Sequence, residues 1–136
     1  MDRNLQILGL ARKAGLLAIG ADDTNSAARA GKTRVVISAS DASGSALRRA
    51  QGSAAIGSAL HIVAPYTSFE LGGMTGRGSP GTLAILDTGL AAGFLRGLAE
   101  AAPDRYGKSA ELLTNMAQTG NDRKIKARPV KRRSVQ

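Results

Sequence analysis

Four short aliphatic runs, separated by segments of helical period, constrain this chain more than any other feature. The runs are Leu16-Leu17-Ala18-Ile19, Val35-Val36-Ile37, His61-Ile62-Val63-Ala64 and Thr82-Leu83-Ala84-Ile85-Leu86. The β-branched run at residues 35–37 has no polar alternation, which fits a strand buried on both faces. Residues 2–14 put Leu5, Leu8 and Ala11 on one helical stripe and Ile7, Leu10 and Ala14 on the next. Arg12 and Lys13 fall in the last turn of that helix, and Gly15 stops it. Gly20 turns the chain into a second helix over residues 21–30, with Asp22 and Asp23 in its first turn, Arg29 in its last and Gly31 just beyond.

A third helix is expected to start near Ala42 and carry Ala46, Leu47, Ala50 and Ala54. Gly44 and Gly52 weaken it by about 1 kcal/mol each relative to alanine. Pro65 ends the third strand, and Thr67-Ser68-Phe69-Glu70 has the form of a capping box opening a short helix that ends at Gly72-Gly73 or shortly after. Residues 88–101 space Leu90, Phe94 and Leu98 four apart, Pro103 closes that helix, and residues 104–118 form one more with Leu112, Leu113 and Met116.

This alternation predicts an α/β fold, a three-layer α/β/α sandwich around a mixed sheet of about four strands, joined by right-handed crossovers. The domain is expected over residues 1–102, with an extra helix in 103–120 and a basic, mobile tail over 121–136. Aromatic residues make up only 3%, so the core must be built from Ala, Leu, Ile and Val. The 17 glycines and many alanines point to backbones packed close together.

Composition also excludes several classes of chemistry. Without cysteine there is no disulfide framework and no thiolate metal site, and a single histidine rules out a histidine cluster. No metal and no cofactor are expected. No apolar run reaches the roughly 18 residues of a membrane span, and the amino terminus lacks a secretory pattern, so the expected location is cytoplasmic.

The net charge is +9 with a pI near 10.9. Seven of the bases, Arg123, Lys124, Lys126, Arg128, Lys131, Arg132 and Arg133, lie in the last 16 residues against one acid, Asp122. Such a cluster suits a polyanion such as RNA; the plainer alternative is a solvated tail that keeps a small domain in solution.

Four tempting features fail as nucleotide-binding or catalytic sites. Gly76-Arg77-Gly78-Ser79-Pro80-Gly81 matches G-x-G-x-x-G, but a helix precedes it and a strand follows, the reverse of a dinucleotide-binding turn. It reads instead as a surface loop, or as a loop that approaches RNA with Arg77 as its charge. Gly31-Lys32-Thr33 imitates the end of a P-loop, yet Ser26 stands where that motif's first glycine belongs. His61 has no nucleophile or carboxylate partner at an arguable spacing, so it reads as a structural or exposed histidine. Asp22 and Asp23 point about 100° apart on a helix and cannot act as a facing acid pair. They serve either the helix dipole or an RNA contact.

Residues 4–100 resemble the kink-turn-binding ribosomal protein superfamily, the group of the archaeal L-seven-Ae and eukaryotic L-thirty-e proteins and their small bacterial relatives. Three blocks carry the resemblance: Leu8-Gly9-Leu10-Ala11-Arg12-Lys13-Ala14-Gly15; Gly20 to Gly31 followed by Lys32-Thr33-Arg34-Val35-Val36-Ile37-Ser38 and Asp41-Ala42-Ser43; and Glu70-Leu71-Gly72 to Gly76-Arg77 before the last strand. The resemblance implies a sandwich that grips a sharply bent RNA and performs no chemistry. It also implies an RNA face made of Gly20, Asp22, Asp23 and Ser26, then Asp41, Ser43 and Leu47, then Gly76, Arg77, Gly78 and Ser79. On that face Asp23 can accept from a guanine edge, Gly20 lets backbone come close, Leu47 can lie against a splayed base, and Arg77 can meet phosphate.

Where the family often has Asn-Glu and a Lys three residues after the Glu, this chain has Asp22-Asp23 and Ser26. That removes a donor and a cation beside the phosphates. The resemblance and the basic charge make the leading reading a non-catalytic, ribosomal-protein-like module for structured, bent RNA, of ribonucleoprotein type, with no membrane and no small-molecule substrate. The alternatives are a protein-interaction or ribosome-assembly factor that keeps the fold without specific kink-turn recognition, and a small enzyme, against which stands the absence of a convergent catalytic set.

Overall fold

The runs and periods become six helices and four strands in the computed structural model, which describes residues 2–76 and 78–119. In chain order these are α1 (Arg3–Lys13), β1 (Leu17–Ile19), α2 (Ala21–Arg29), β2 (Val35–Ser38), α3 (Gly44–Ile56), β3 (Leu60–Val63), α4 (Ser68–Thr75), β4 (Thr82–Ile85), α5 (Thr88–Ala101) and α6 (Pro103–Gln118). Arg77 and the basic segment 121–136 lie outside the described residues. No described helix is long and apolar enough to cross a membrane.

The strands form one mixed sheet in the order β1-β4-β2-β3. β2 and β3 are parallel, while β4 runs antiparallel to both β1 and β2. The two central strands, β2 and β4, are buried at every residue, as the unbroken apolar run at 35–37 requires.

Side-chain alternation divides the interior into two unequal layers. Ile19, Val35, Ile37, Ile62, Leu83 and Ile85 face a large cluster with Leu8 of α1, Leu71 of α4, Phe94 and Leu95 of α5, and Tyr106, Ala110 and Leu113 of α6. The other face gives Ala18, Val36 and Ala84 to a thin layer against Ala50 and Ala54 of α3, with Ala27 of α2 at its side. The expected three-layer α/β/α sandwich is thus built, with small residues letting α2 and α3 lie close to the sheet.

Local signals set the boundaries. Gly15 and Gly31 take left-handed φ of 73° and stop α1 and α2. Ser43 caps α3 by accepting from the Ala46 N–H at 3.1 Å, so this helix begins at Gly44, two residues later than the apolar period suggested. The Thr67–Glu70 capping box is closed in both directions, at 2.9 and 3.1 Å. The phenol of Tyr66 donates to Asp2 at 2.9 Å, and the same carboxylate caps α1 through the Asn4 N–H. Burial, with Asp2 beside it, pushes the Tyr66 phenol up to about 12. The Tyr106 hydroxyl donates to the Val63 carbonyl at 2.6 Å and so ties α6 to the edge strand β3.

Candidate nucleic-acid interface

Strand polarity brings three separate loops to one end of the sheet. β1 and β2 finish there, and β4, antiparallel to both, begins there. The turn into α2, the loop after β2 and the loop before β4 are therefore neighbours by topology. Two backbone hydrogen bonds stitch them: the Gly20 N–H donates to the Thr82 carbonyl at 2.8 Å, and the Ala39 N–H donates to the Gly81 carbonyl at 2.9 Å. A third, from the Ser40 N–H to the Tyr66 carbonyl at 2.8 Å, joins the β3–α4 connection to the same end.

Gly20 has φ 94° and ψ 165°, a conformation open to glycine alone, and it precedes α2 without a side-chain cap. Asp22 and Asp23 are exposed in the first turn, where their charge complements the helix dipole. Asp22 also pairs with Arg49 of α3 at 3.0 Å, with both side chains in solvent. The charge of Asp22 is therefore shared with a guanidinium, and water screens the pair. Ser26 is exposed farther along α2.

In the second segment, Asp41 and Ser43 have local structural work. Asp41 accepts from the Ser68 N–H at 2.9 Å and from the Ser68 hydroxyl at 3.2 Å, which anchors the start of α4. Ser43 caps α3. Leu47 is half-buried on the first turns of α3.

In the third segment, Gly76 ends α4 with φ 70°, and Gly78 has φ 57°. Gly72 of α4 lies so close to the Gly78 carbonyl that no side chain fits between them. Ser79 is exposed. Arg77 falls outside the described residues, as do Arg123, Lys124, Lys126, Arg128, Lys131, Arg132 and Arg133.

The structure adds residues that sequence spacing did not single out. The Arg12 guanidinium lies beside Gly76, within 3.2 Å of where a Cβ would stand. In the sequence Arg12 reads only as a last-turn cation of α1, and its approach to a loop more than sixty positions later has no local signal. Arg49 and the strongly exposed Phe69 are likewise brought to this end by α3 and α4.

His61 stands on the thin-layer face of the sheet. Its Nε2 lies 2.8 Å from the Ser38 hydroxyl, and burial lowers its pKa from the usual 6.5, favouring the neutral imidazole. A neutral ring can accept that hydroxyl proton, which gives the histidine a structural partner. Asn25 of α2 donates to Ser53 of α3 at 3.0 Å and holds the two helices of this layer together.

No protein-family model and no curated protein sequence matches this chain. Solved structures do. A protein of unknown function from Bacillus halodurans superimposes with a TM-score of 0.64 at 21% identity, over 72% of this chain and 98% of its own. The Giardia lamblia 15.5kD RNA binding protein superimposes with a TM-score of 0.53 at 18% identity, over 80% of this chain and 85% of its own. At such identities the likeness establishes a shared fold, spanning most of each chain.

Proposed function

We propose that this chain is a non-catalytic RNA-binding module of the kink-turn-binding ribosomal protein superfamily, acting in a cytoplasmic ribonucleoprotein. The observation that carries the reading is the stitching of three loops at one end of the sheet through Gly20–Thr82 and Ala39–Gly81. These are the segments that the family resemblance marks as its RNA face. The fold shared with an RNA-binding protein from Giardia supports the same reading.

On this reading each group does something RNA requires. Gly20 lets a backbone approach, and the amino-terminal end of α2 offers amide donors to it. Asp23 accepts from a guanine edge exposed at a noncanonical pair, and the half-buried Leu47 lies against a splayed base. Arg12, Arg77 and the bases at 123–133 neutralise phosphates, which makes binding salt-dependent. Asp41 and Ser43 contribute by shaping the loop. Ser26 supplies no cation, so part of the affinity is left to the basic segment.

Binding to a kink-turn RNA, compared with the same hairpin after replacement of its G·A pairs, tests this directly. Strong preference for the intact motif is expected. Removing residues 121–136 should weaken binding and lower the salt slope by about one unit for each phosphate no longer neutralised, while keeping the preference. Equal affinity for any duplex, or complete loss of binding with the tail, would leave the folded body without an RNA-reading role. The second reading, an assembly factor that binds protein through this fold, is favoured by the Asp22–Arg49 pair, which occupies an exposed guanidinium at the edge of the face.

A further inference from the structure

The chain has four aromatic rings. Tyr66, Phe94 and Tyr106 are at most 7% exposed, whereas Phe69 is 80% exposed. The local structure explains this outward placement. Thr67 caps α4, with Tyr66 just before it and Leu71 four residues into the helix. Both of those side chains belong to the main core, the arrangement of a hydrophobic staple. Phe69 is two positions before Leu71, about 200° around the helix axis, and so points away from the core.

Its backbone is held from two sides. The capping box fixes Thr67 and Glu70, and Asp41 grips Ser68 through both the N–H and the hydroxyl. The amides of Thr67, Ser68 and Glu70 are thereby occupied, and the corner presents an apolar plane beside them. The plane adjoins the loop after β2, one of the three segments of the proposed interface.

We infer that Phe69 is a base-stacking platform, and that the RNA this protein takes places one unpaired nucleobase against it on the Asp41–Ser68 side of the interface. The inference rests on the RNA-binding reading and narrows it: one exposed ring serves one base, so the ligand is a folded RNA with an extruded nucleotide, unlike a single strand stacked on a row of aromatics. The capping box holds the backbone beneath the ring, so only the two side-chain torsions of Phe69 remain to be ordered on binding.

The test uses the full-length chain and a kink-turn RNA, with Phe69→Ala, Phe69→Tyr and abasic replacement of each unpaired nucleotide in turn. Phe69→Ala should weaken binding about 5- to 150-fold, the range for removal of one stacked base. Phe69→Tyr should retain affinity, and thermal unfolding of both variants should match wild type, since the ring touches little. One abasic position should weaken wild-type binding by the same factor and have no further effect on Phe69→Ala. If wild type prefers the kink-turn RNA and Phe69→Ala binds it equally well, the inference fails while the RNA reading stands, leaving the ring to a protein partner. If Phe69→Ala is weaker but every abasic replacement adds to its loss, the ring contacts no base and the inference also fails. If wild type shows no preference for the motif, both fall together.

Discussion

Gly72 of α4 and Gly78 of the following loop touch backbone to backbone: a Cβ on Gly72 would run into the Gly78 carbonyl oxygen. Residue 73, one step along the same helix, has open space where its Cβ would be. Two neighbouring glycines with the same helical backbone therefore predict opposite outcomes. Gly73→Ala should stabilise the fold by about 0.5–1 kcal/mol through reduced backbone freedom in the unfolded chain. Gly72→Ala should destabilise it by about 1–3 kcal/mol, because the obstructing atoms are main chain and cannot rotate aside. Denaturant midpoints of the two variants measure the contrast, and Gly72→Ala should also lose RNA affinity by displacing the loop before β4.

Gly20 is constrained by conformation alone. Nothing lies within 4 Å of its would-be Cβ, yet its φ of 94° is one that side chains rarely adopt. Gly20→Ala should cost about 1–3 kcal/mol of strain. The turn can escape that strain by moving away from Thr82, so faster hydrogen exchange at the amide of residue 20, alongside weaker RNA binding, is the expected signature.

Asp41→Ala separates structure from recognition. Two hydrogen bonds to Ser68 disappear at an exposed site, so stability should fall by only about 1 kcal/mol. RNA affinity should fall by more than that, because the corner carrying Phe69 is no longer fixed. Asp41→Asn retains one acceptor oxygen and should recover part of both losses. Equal losses of stability and affinity in both variants would assign Asp41 to folding alone.

His61 makes stability depend on acidification. Burial lowers its folded pKa below the ordinary 6.5, so the unfolded chain takes up the proton first. The contribution is fully present above about pH 6.5 and is lost as the pH falls toward the folded pKa. Urea unfolding at about pH 7.5 and about pH 5.5 should show wild type less stable at the lower value. His61→Gln, which does not titrate but keeps an amide able to hydrogen-bond the Ser38 hydroxyl, should be flatter across the same window.

Much of the fold was legible because its signals are local. The strand at 35–38, the glycine stops at Gly15 and Gly31, and the Thr67–Glu70 capping box depend on neighbours within a few residues, and each stands where the sequence put it. The start of α3 was displaced because Ser43 offers a side-chain cap, which outweighs the apolar period beginning near Ala42. Of the candidate site, the family resemblance marked three segments that the strand polarity brings to one end of the sheet, but the long-range contacts of their residues were not legible. Asp41 holds Ser68 and Asp22 pairs with Arg49, and a hydrogen-bond partner 27 positions away leaves no mark on spacing.

The amino-acid sequence by itself determined the alternation of elements, the small-residue core and the concentration of positive charge at 121–136, because propensity, periodicity and composition are properties of short windows. Only the tertiary structure decided that β4 runs antiparallel between β1 and β2, and that choice carries the loop at Gly76–Gly81 to the same end as Gly20 and Ala39. It also decided that Arg12 reaches Gly76 and that Phe69, alone among the aromatic rings, faces water. Strand order and side-chain exposure follow from how the whole core is filled, and no window of neighbouring residues contains that information.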